Sequence, residues 1–508
     1  MGQVDAACSR ALWYVPAGLG LLAFLFSKFC VNHARCLTPP RQYTSHFCAA
    51  VKCNNDIQIL RTLAASDVNF DCASSAEFSA VLSLGVHPDR IVFAHPCKFP
   101  QHLRAAAEMG VNKMTADSEE ELVKIAKYHT AAQVLLRLKV PDGYASTSFG
   151  GKFGVAPTAV EYVLTRAAEL GVNVIGVSYH VGTDCDHVGT FAEAVRIAHE
   201  AMDLGRKAGH EMYMLDIGGG FPGDPPRGEP AHAMPRSFPD IAAGINAALD
   251  MYFPEGSTCA LSGKPINIVA EPGRYFVSSC ATLATPVVAV RRNGNPVGDG
   301  MTRLYVDDGV YGSFNCMVFD HKNPLPTVVR NWRLEAHRSG KTASESQPAK
   351  YAKSGDDAAD EQAPDATVAF LSGALPIVMD PRAHTAKQHK IAMSAEDDEG
   401  AAADAEVSDD DETWERVSIW GPTCDSVDCI VKELFLLRSD ATTAALTTGD
   451  WLLWDAMGAY TGVAASNFNG MPGPRKMYVL GDHEVPVPQS HLQRAAAAHE
   501  SAGVPIHA

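Results

Sequence analysis

Reactive side chains stand directly after apolar runs at several points of this chain. Lys52 closes AAVKCN, and Asp71 closes NFDCAS with Glu77 about a turn and a half further on. Arg137 lies in VLLRLK, His180 closes SYHVGT, and Glu271 and Arg274 share AEPGR. A lysine at the end of an apolar run is partly desolvated, which lowers its pKa and suits Schiff-base chemistry. A flat histidine ring can stack on an aromatic cofactor. Gly218, Gly219 and Gly220 in DIGGGFPG can let backbone N–H groups close around a phosphate. Far downstream, IWGPTCDSVD sets Cys424 beside Asp425 on a turn made by Gly421 and Pro422. A thiol next to a carboxylate on a rigid turn can carry chemistry, and at a subunit boundary it could complete a neighbour's site. Taken singly, each residue has an ordinary explanation: a snorkelling lysine, a satisfied core histidine, a tight glycine turn, a small buried thiol, an aspartate in a proline turn.

The elements that must hold these groups alternate in type. Apolar or β-branched runs at His46–Val51, Val68–Asp71, Ile91–His95, Lys113–Ala116, Val134–Lys139, Val174–His180, Met212–Ile217 and Ile266–Ala270 read as strands. Helical patterns separate them, among them Ser118–Tyr128, with Ser118 and Glu121 in capping-box spacing, and Thr190–Ala208. Such alternation predicts an α/β fold, a (β/α)8 TIM-like barrel, whose chemistry belongs at the C-terminal ends of the strands. The phosphate site of many barrels follows strands seven and eight, which is where the three glycines and Arg274 fall. A lysine, a histidine, an acid and a phosphate cradle together describe pyridoxal 5'-phosphate better than a metal or a nucleotide. Beyond residue 276 the pattern changes to strands and turns at Ala281–Arg291, Arg303–Val306, Val417–Ile419, Asp450–Trp454 and Met477–Val479, a second, β-rich domain of sandwich or barrel type.

The 508-residue chain accommodates two domains with insertions. Its formal charge of −17 argues against nonspecific nucleic-acid binding. That charge is local: residues 395–415 hold eleven Asp or Glu with no Lys or Arg, and residues 356–365 hold five more. Thirteen cysteines without a regular framework or metal-type spacing suit reduced thiols in a cytoplasmic enzyme with no metal centre. The apolar run 11–27 behind Arg10 could serve as a signal or anchor. It contains Pro16, Gly18 and Gly20, is short for a span, and reads better as a buried strand leading into a helix. The expected organisation is an N-terminal segment 1–28 joining the β domain, a barrel over 29–278, and a β domain over 279–333 and 413–482. An acidic insert at 334–412, unable to bury enough apolar surface to fold, and a tail at 483–508 complete it.

AAVKCN, FDCAS, YHVGT, LDIGGGFPG, AEPGRYF, DDGVYGSFNC, FDH, WGPTCD and MGAYT occur in the order found in eukaryotic ornithine decarboxylases. The resemblance runs over about residues 45–333 and 413–480, and it implies the alanine-racemase-like fold of pyridoxal-phosphate decarboxylases. Trp13-Tyr14-Val15 resembles a remnant of that family's N-terminal β segment. The resemblance makes Lys52 the lysine that bonds the cofactor and Glu271 the acid facing the pyridine nitrogen. His180 would stack on the ring. Gly218, Gly219, Gly220, Arg274, Tyr460 and Thr183 (where the family commonly has Ser) would hold the phosphate, and Asp71, Glu77 and Arg137 would line the cofactor. It further implies that Asp320 and Asp425 share the substrate's distal ammonium beside Phe319 and Phe468, and that Cys424 protonates the α-carbon. Cys424 and Asp425 would come from the second subunit of a homodimer, across which Lys152 and Asp428 form an ion pair. The activity so implied is conversion of ornithine to putrescine and CO2, the first step of polyamine synthesis, with antizyme as a further partner. Lysine, arginine or diaminopimelate decarboxylation on the same fold stays open, as does a non-catalytic homologue of the antizyme-inhibitor kind.

Overall fold

The computed structural model describes residues 21–26, 45–145, 148, 150–185, 187–223, 238–292, 300–329, 414–437 and 446–480. The insert at 334–412, the tail at 483–508 and Trp13-Tyr14-Val15 lie outside the described residues. Two compact units emerge: the described parts of 26–280 with 458–463, and those of 21–25 with 281–457 and 464–480. Of the apolar N-terminal run, Leu21–Phe26 forms a strand, β1, paired antiparallel with the long strand that opens the sheet unit. No helix among the described residues is long and apolar enough to cross a membrane.

Eight parallel strands close the barrel: β2 (Ser45–Ala50), β3 (Asn69–Cys72), β4 (Ile91–Phe93), β5 (Lys113–Ala116), β6 (Gln133–Arg137), β7 (Asn173–Ser178), β8 (Met214–Asp216) and β9 (Asn267–Ala270). β2 pairs with β9, Phe47 opposite Ala270, and so leaves no open edge. Cys48, Val92, Leu135, Ile175, Met214 and Val269 form one buried apolar cluster. Side chains on a strand share a face at every second residue. Two residues beyond Leu135, Met214 and Val269 come Arg137, Asp216 and Glu271, so the face that packs the interior delivers polar groups at the strand ends.

The helices obey the local signals. Ser118 caps Glu119–Tyr128 by accepting from the Glu121 N–H at 3.3 Å, and Leu122 and Ile125 go to the interior. Val188–Lys207 buries Phe191, Ala194, Val195, Ala198, Ala201 and Met202, an i, i+3, i+4 stripe. Truncating Phe191 to Ala would cost about 3–5 kcal/mol through lost burial and the cavity left behind.

In the sheet unit, β10 (Ala281–Arg292), β11 (Thr302–Val306), β12 (Pro326–Val329), β13 (Trp414–Trp420), β14 (Cys429–Leu437), β15 (Trp451–Trp454) and β16 (Arg475–Leu480) form a sheet in the order β12-β15-β10-β11-β13-β14, with β1 against β10 and β16. Besides β1, β10 serves two partners in succession, β15 over Leu283–Pro286 and β11 over Val287–Arg292, with a register shift between Val287 and Ala289. The fully buried Trp454 anchors this bend: its indole N–H donates to Thr285 Oγ1 at 2.9 Å, and Phe314 packs edge-on at 4.7 Å.

Candidate active site

Segments that follow four of the barrel strands, β2, β7, β8 and β9, meet at one pocket, whose walls include Lys52, His180, Gly220, Glu271, Arg274 and Tyr460. Lys52 sits in the tight turn Val51–Cys53 that follows β2, and its Nζ donates to Asp71 Oδ2. Asp71 is only 1% exposed, whereas the lysine side chain is 42% exposed toward the pocket. Burial pushes the Lys52 pKa down, but Asp71, then Tyr460 and Glu271, outweigh it and hold the pKa above the ordinary lysine value. This corrects the sequence expectation of a lowered pKa: desolvation was legible from the apolar run, and the countercharge on β3 was not. Lys52 is an ammonium here, with its proton acceptor already bonded to it.

Burial drives the Glu271 carboxyl well above the usual range, and Asp216 and Asp71 reinforce it. Asp216, fully buried, is pushed up to about 6 by burial, restrained by hydrogen bonds from Glu271 and the Gly218 N–H. Among the described residues no N–H or hydroxyl donor reaches Glu271 Oε1, Asp216 Oδ2 or Asp71 Oδ1. Three acids converging without enough donors need a proton or a cationic ligand atom between them. His180 is forced neutral by burial, then by Arg137 and Lys52. Its Nδ1 accepts from the Gly182 N–H at 3.0 Å, which leaves the ring proton on Nε2.

The glycine loop could not be built otherwise. A Cβ on Gly218 (φ +65°) would lie 2.0 Å from Tyr179 O, and one on Gly220 (φ +100°) 2.4 Å from Gly182 O. Gly220 O in turn accepts from Cys185 N–H at 3.1 Å, tying this loop to the one that carries Thr183 and Asp184. Tyr460 arrives from far along the chain: its N–H donates to Cys53 O at 3.0 Å, and the Arg274 guanidinium lies 5.2 Å from its ring centre. Arg274 Nε stands 3.1 Å from Asp184 Oδ1.

Not every expected residue reaches the pocket wall. Asp71 and Arg137 act on it through Lys52 and His180. Glu77 accepts from the Ala73 N–H at 2.6 Å and closes the start of helix Ser75–Leu82. Cys424, Asp425, Asp320, Phe319, Phe468 and Asp428 all belong to the sheet unit. There Asp425 Oδ2 accepts from the Tyr311 hydroxyl at 2.5 Å and its Oδ1 from the Val427 N–H at 2.9 Å. The tyrosine contact holds the Asp425 pKa below the ordinary aspartate value. Tyr311 stacks on Phe468 at 4.4 Å, and Asn469 Oδ1 accepts from the Cys424 N–H at 3.1 Å. Asp428 is buried, with both oxygens used inside its own unit: Oδ1 by Val310 N–H, Oδ2 by Thr423 N–H and hydroxyl. Asp320 is 6% exposed and Phe319, beside it, is exposed. Lys152, in the barrel unit, lies over the Phe153 ring.

Sequence reasoning missed Tyr311, Asn469, Asp216 and Asp184. Tyr311 and Asp216 stand inside the quoted motifs DDGVYGSFNC and LDIGGGFPG. Asn469 carries a weaker signal, an Asn-Gly pair after an aromatic, and takes the left-handed conformation (φ +56°) that Asn tolerates.

A closed barrel with a lysine-centred, acid-walled pocket at its strand ends, joined to a β-sheet unit, defines a class of two-domain barrel enzymes. Residues 32–278 match the pyridoxal-binding domain of the pyridoxal-dependent decarboxylases, and residues 212–350 and 353–458 match their C-terminal sheet domain. The chain belongs to this family. It is 36% identical over 440 residues to an ornithine decarboxylase of Rattus norvegicus, covering 85% of this chain and 74% of that one. It is 34% identical over 428 residues to antizyme inhibitor 2 of Xenopus laevis, covering 83% and 72%. The arginine decarboxylase of Paramecium bursaria Chlorella virus superposes with a TM-score of 0.65 at 29% identity, covering 91% and 96%. The family's cofactor, pyridoxal 5'-phosphate, is the cofactor of this chain. The residues present fit it: an amine for its aldehyde, unsatisfied acid oxygens for its ring nitrogen, and a glycine cradle with an arginine for its phosphate.

Proposed function

We propose that the chain decarboxylates ornithine to putrescine, as a homodimer whose active sites combine the barrel of one subunit with the Cys424 turn of the other. The observation that carries this reading is Asp425. Its carboxylate is fixed by Tyr311 and Val427 and kept ionised, as an acceptor for a substrate ammonium must be. In the proposed shared site Asp320 would join it as an acid pair suited to a compact distal amine. A guanidinium needs more room, and a distal carboxylate would be repelled. Val318, Phe319, Val427 and Phe468 leave apolar surface exposed on the same unit, as a second subunit would require.

Bound pyridoxal phosphate supplies the electron sink for the bond that breaks. In the proposed roles, Gly218 to Gly220, Thr183, Arg274 and Tyr460 hold its phosphate, and the neutral His180 ring covers its flat face. Glu271 keeps a proton at the ring nitrogen, a task matched to an acid whose proton is already firmly held. Lys52 hands its proton to Asp71 before its amine can react. Cys424 delivers a proton to the α-carbon. The electrostatic contribution of Glu271 should be about 3–4 kcal/mol of barrel-side stabilisation.

We place the protein in the reducing cytoplasm, a reading supported by the fact that no disulfide joins any of the ten cysteines among the described residues. Antizyme is a candidate partner on the strength of the relatives alone. The test of function is CO2 release from ornithine, lysine, arginine and diaminopimelate in parallel. Release from none of them, with pyridoxal phosphate bound, would favour a regulatory homologue of the antizyme-inhibitor kind. Preference for another substrate would overturn the choice of ornithine.

A further inference from the structure

The phosphate end of the pocket contains an acid that a phosphate site does not need. Asp184 lines the same cavity as Arg274 and Tyr460, and its carboxylate stands 3.1 Å from Arg274 Nε. The two side chains are 17% and 7% exposed, so the pair is largely shielded from solvent. The backbone holds the aspartate there at some cost. Asp184 has φ +48°, a left-handed conformation that L-residues rarely take. Its loop is fastened on both sides, by Gly182 N–H to His180 Nδ1 and by Cys185 N–H to Gly220 O. The aspartate is thus presented to Arg274 by the loop that also presents Thr183 to the cavity.

We propose that Asp184 is an anionic latch on the cofactor's phosphate site, a residue that sets cofactor affinity by competing with the phosphate for Arg274. This rests on the reading of Arg274 and the glycine loop as the phosphate site. The carboxylate offsets part of the charge of a largely buried guanidinium. On binding, a phosphate carrying nearly two negative charges meets the same guanidinium with a carboxylate beside it. The like charge weakens binding, and the cofactor becomes more readily exchangeable than the cradle alone would make it.

The experiment is titration of the full-length apoprotein with pyridoxal phosphate, and separately with pyridoxal, followed by absorbance. Thermal midpoints are recorded with and without cofactor. Asp184→Asn keeps the shape and removes the charge; Asp184→Gly also relieves the φ and serves if the first variant folds poorly. Expected are about tenfold tighter pyridoxal phosphate binding, the size of one unfavourable charge contact, and no change for pyridoxal, which lacks the phosphate. The midpoint should fall in the apoprotein and rise in the holoprotein, an inversion that a merely structural aspartate would not produce. Unchanged or weaker pyridoxal phosphate binding in both variants overturns the latch, as does equal tightening for pyridoxal. Arg274→Ala separates the two readings. If it leaves pyridoxal phosphate affinity intact, the phosphate-site assignment itself falls. If it weakens binding while the Asp184 variants match wild type, only the latch falls.

Discussion

The acids of the barrel and those of the sheet unit are handled in opposite ways. Asp71, Asp216 and Glu271 are buried together with oxygens that no described donor reaches. Asp425 stands at the surface with both oxygens taken by Tyr311 and Val427. Burial, reinforced by the neighbouring acids, raises the carboxyl pKa values of Asp216 and Glu271, whereas hydrogen bonding lowers that of Asp425. One region therefore stores a proton, and the other keeps a fixed negative charge ready. The proposed function calls for both, a proton held at the cofactor and a partner for the substrate's ammonium, and carboxyl groups would supply them through different surroundings.

The largest expected effect breaks the division between the two regions outright. Lys52→Ala and Cys424→Ala should each lose on the order of a thousandfold in kcat. Mixed under conditions that allow subunit exchange, they should recover up to about a quarter of wild-type activity, since half of the dimers are mixed and each of those holds one intact site. Heterodimers that form without recovering activity would refute the shared site. Glu271→Gln removes the stored proton and should lower kcat by about a hundredfold or more with little change in KM. A KM effect alone would remove Glu271 from the chemistry. On the sheet side, Tyr311→Phe frees the Asp425 carboxylate to rotate. KM for the diamino acid should rise about fivefold while kcat holds within twofold, the scale of one hydrogen bond to a charged group.

The smallest effect on turnover, although not on stability, is expected from Asp307, which follows β11 in the sheet unit. Burial, then Asp308, pushes its carboxyl up to about 8, and neither oxygen has a hydrogen-bond partner among the described residues. The folded state thus binds a proton that the unfolded state has released between the usual aspartate range and pH 8. Its contribution to stability is complete below about pH 4 and is lost as pH rises through 8. Asp307→Asn should leave the thermal midpoint unchanged at pH 4 and raise it at pH 8, with turnover at pH 7 within about twofold of wild type. An equal shift at both pH values would assign the effect to packing.

Much of the barrel was legible because buried parallel strands are short apolar runs, and each of the eight appears within a few residues of its expected place. Runs such as CIVKELFLL, which became β14, fit a helix as well as a strand, and Pro326 disguised β12; local pattern could not arbitrate. The site divides in the same way. Lys52, His180, Glu271 and the glycines were visible because strand ends announce them. Asp216 was hidden by being one more acid in a strand, and Asp184 by lying in a loop. Tyr311 and Asn469 matter only through what the chain folds against them. The sign of the Lys52 shift failed for that reason: it depends on a carboxylate nineteen residues away on the neighbouring strand.

Tyr460 has a consequence for biogenesis. The chain leaves the barrel unit at Cys280 and re-enters it only at Gly458, whose carbonyl accepts from the Asn54 side chain beside Lys52. At ordinary ribosomal speeds, the intervening stretch takes on the order of ten seconds or more to emerge. The vitamin pocket is therefore finished long after its eight staves have been made. A nonsense codon anywhere before residue 458 would yield a barrel lacking the wall that Tyr460 supplies, so the last part of translation acts as a checkpoint on loading the enzyme.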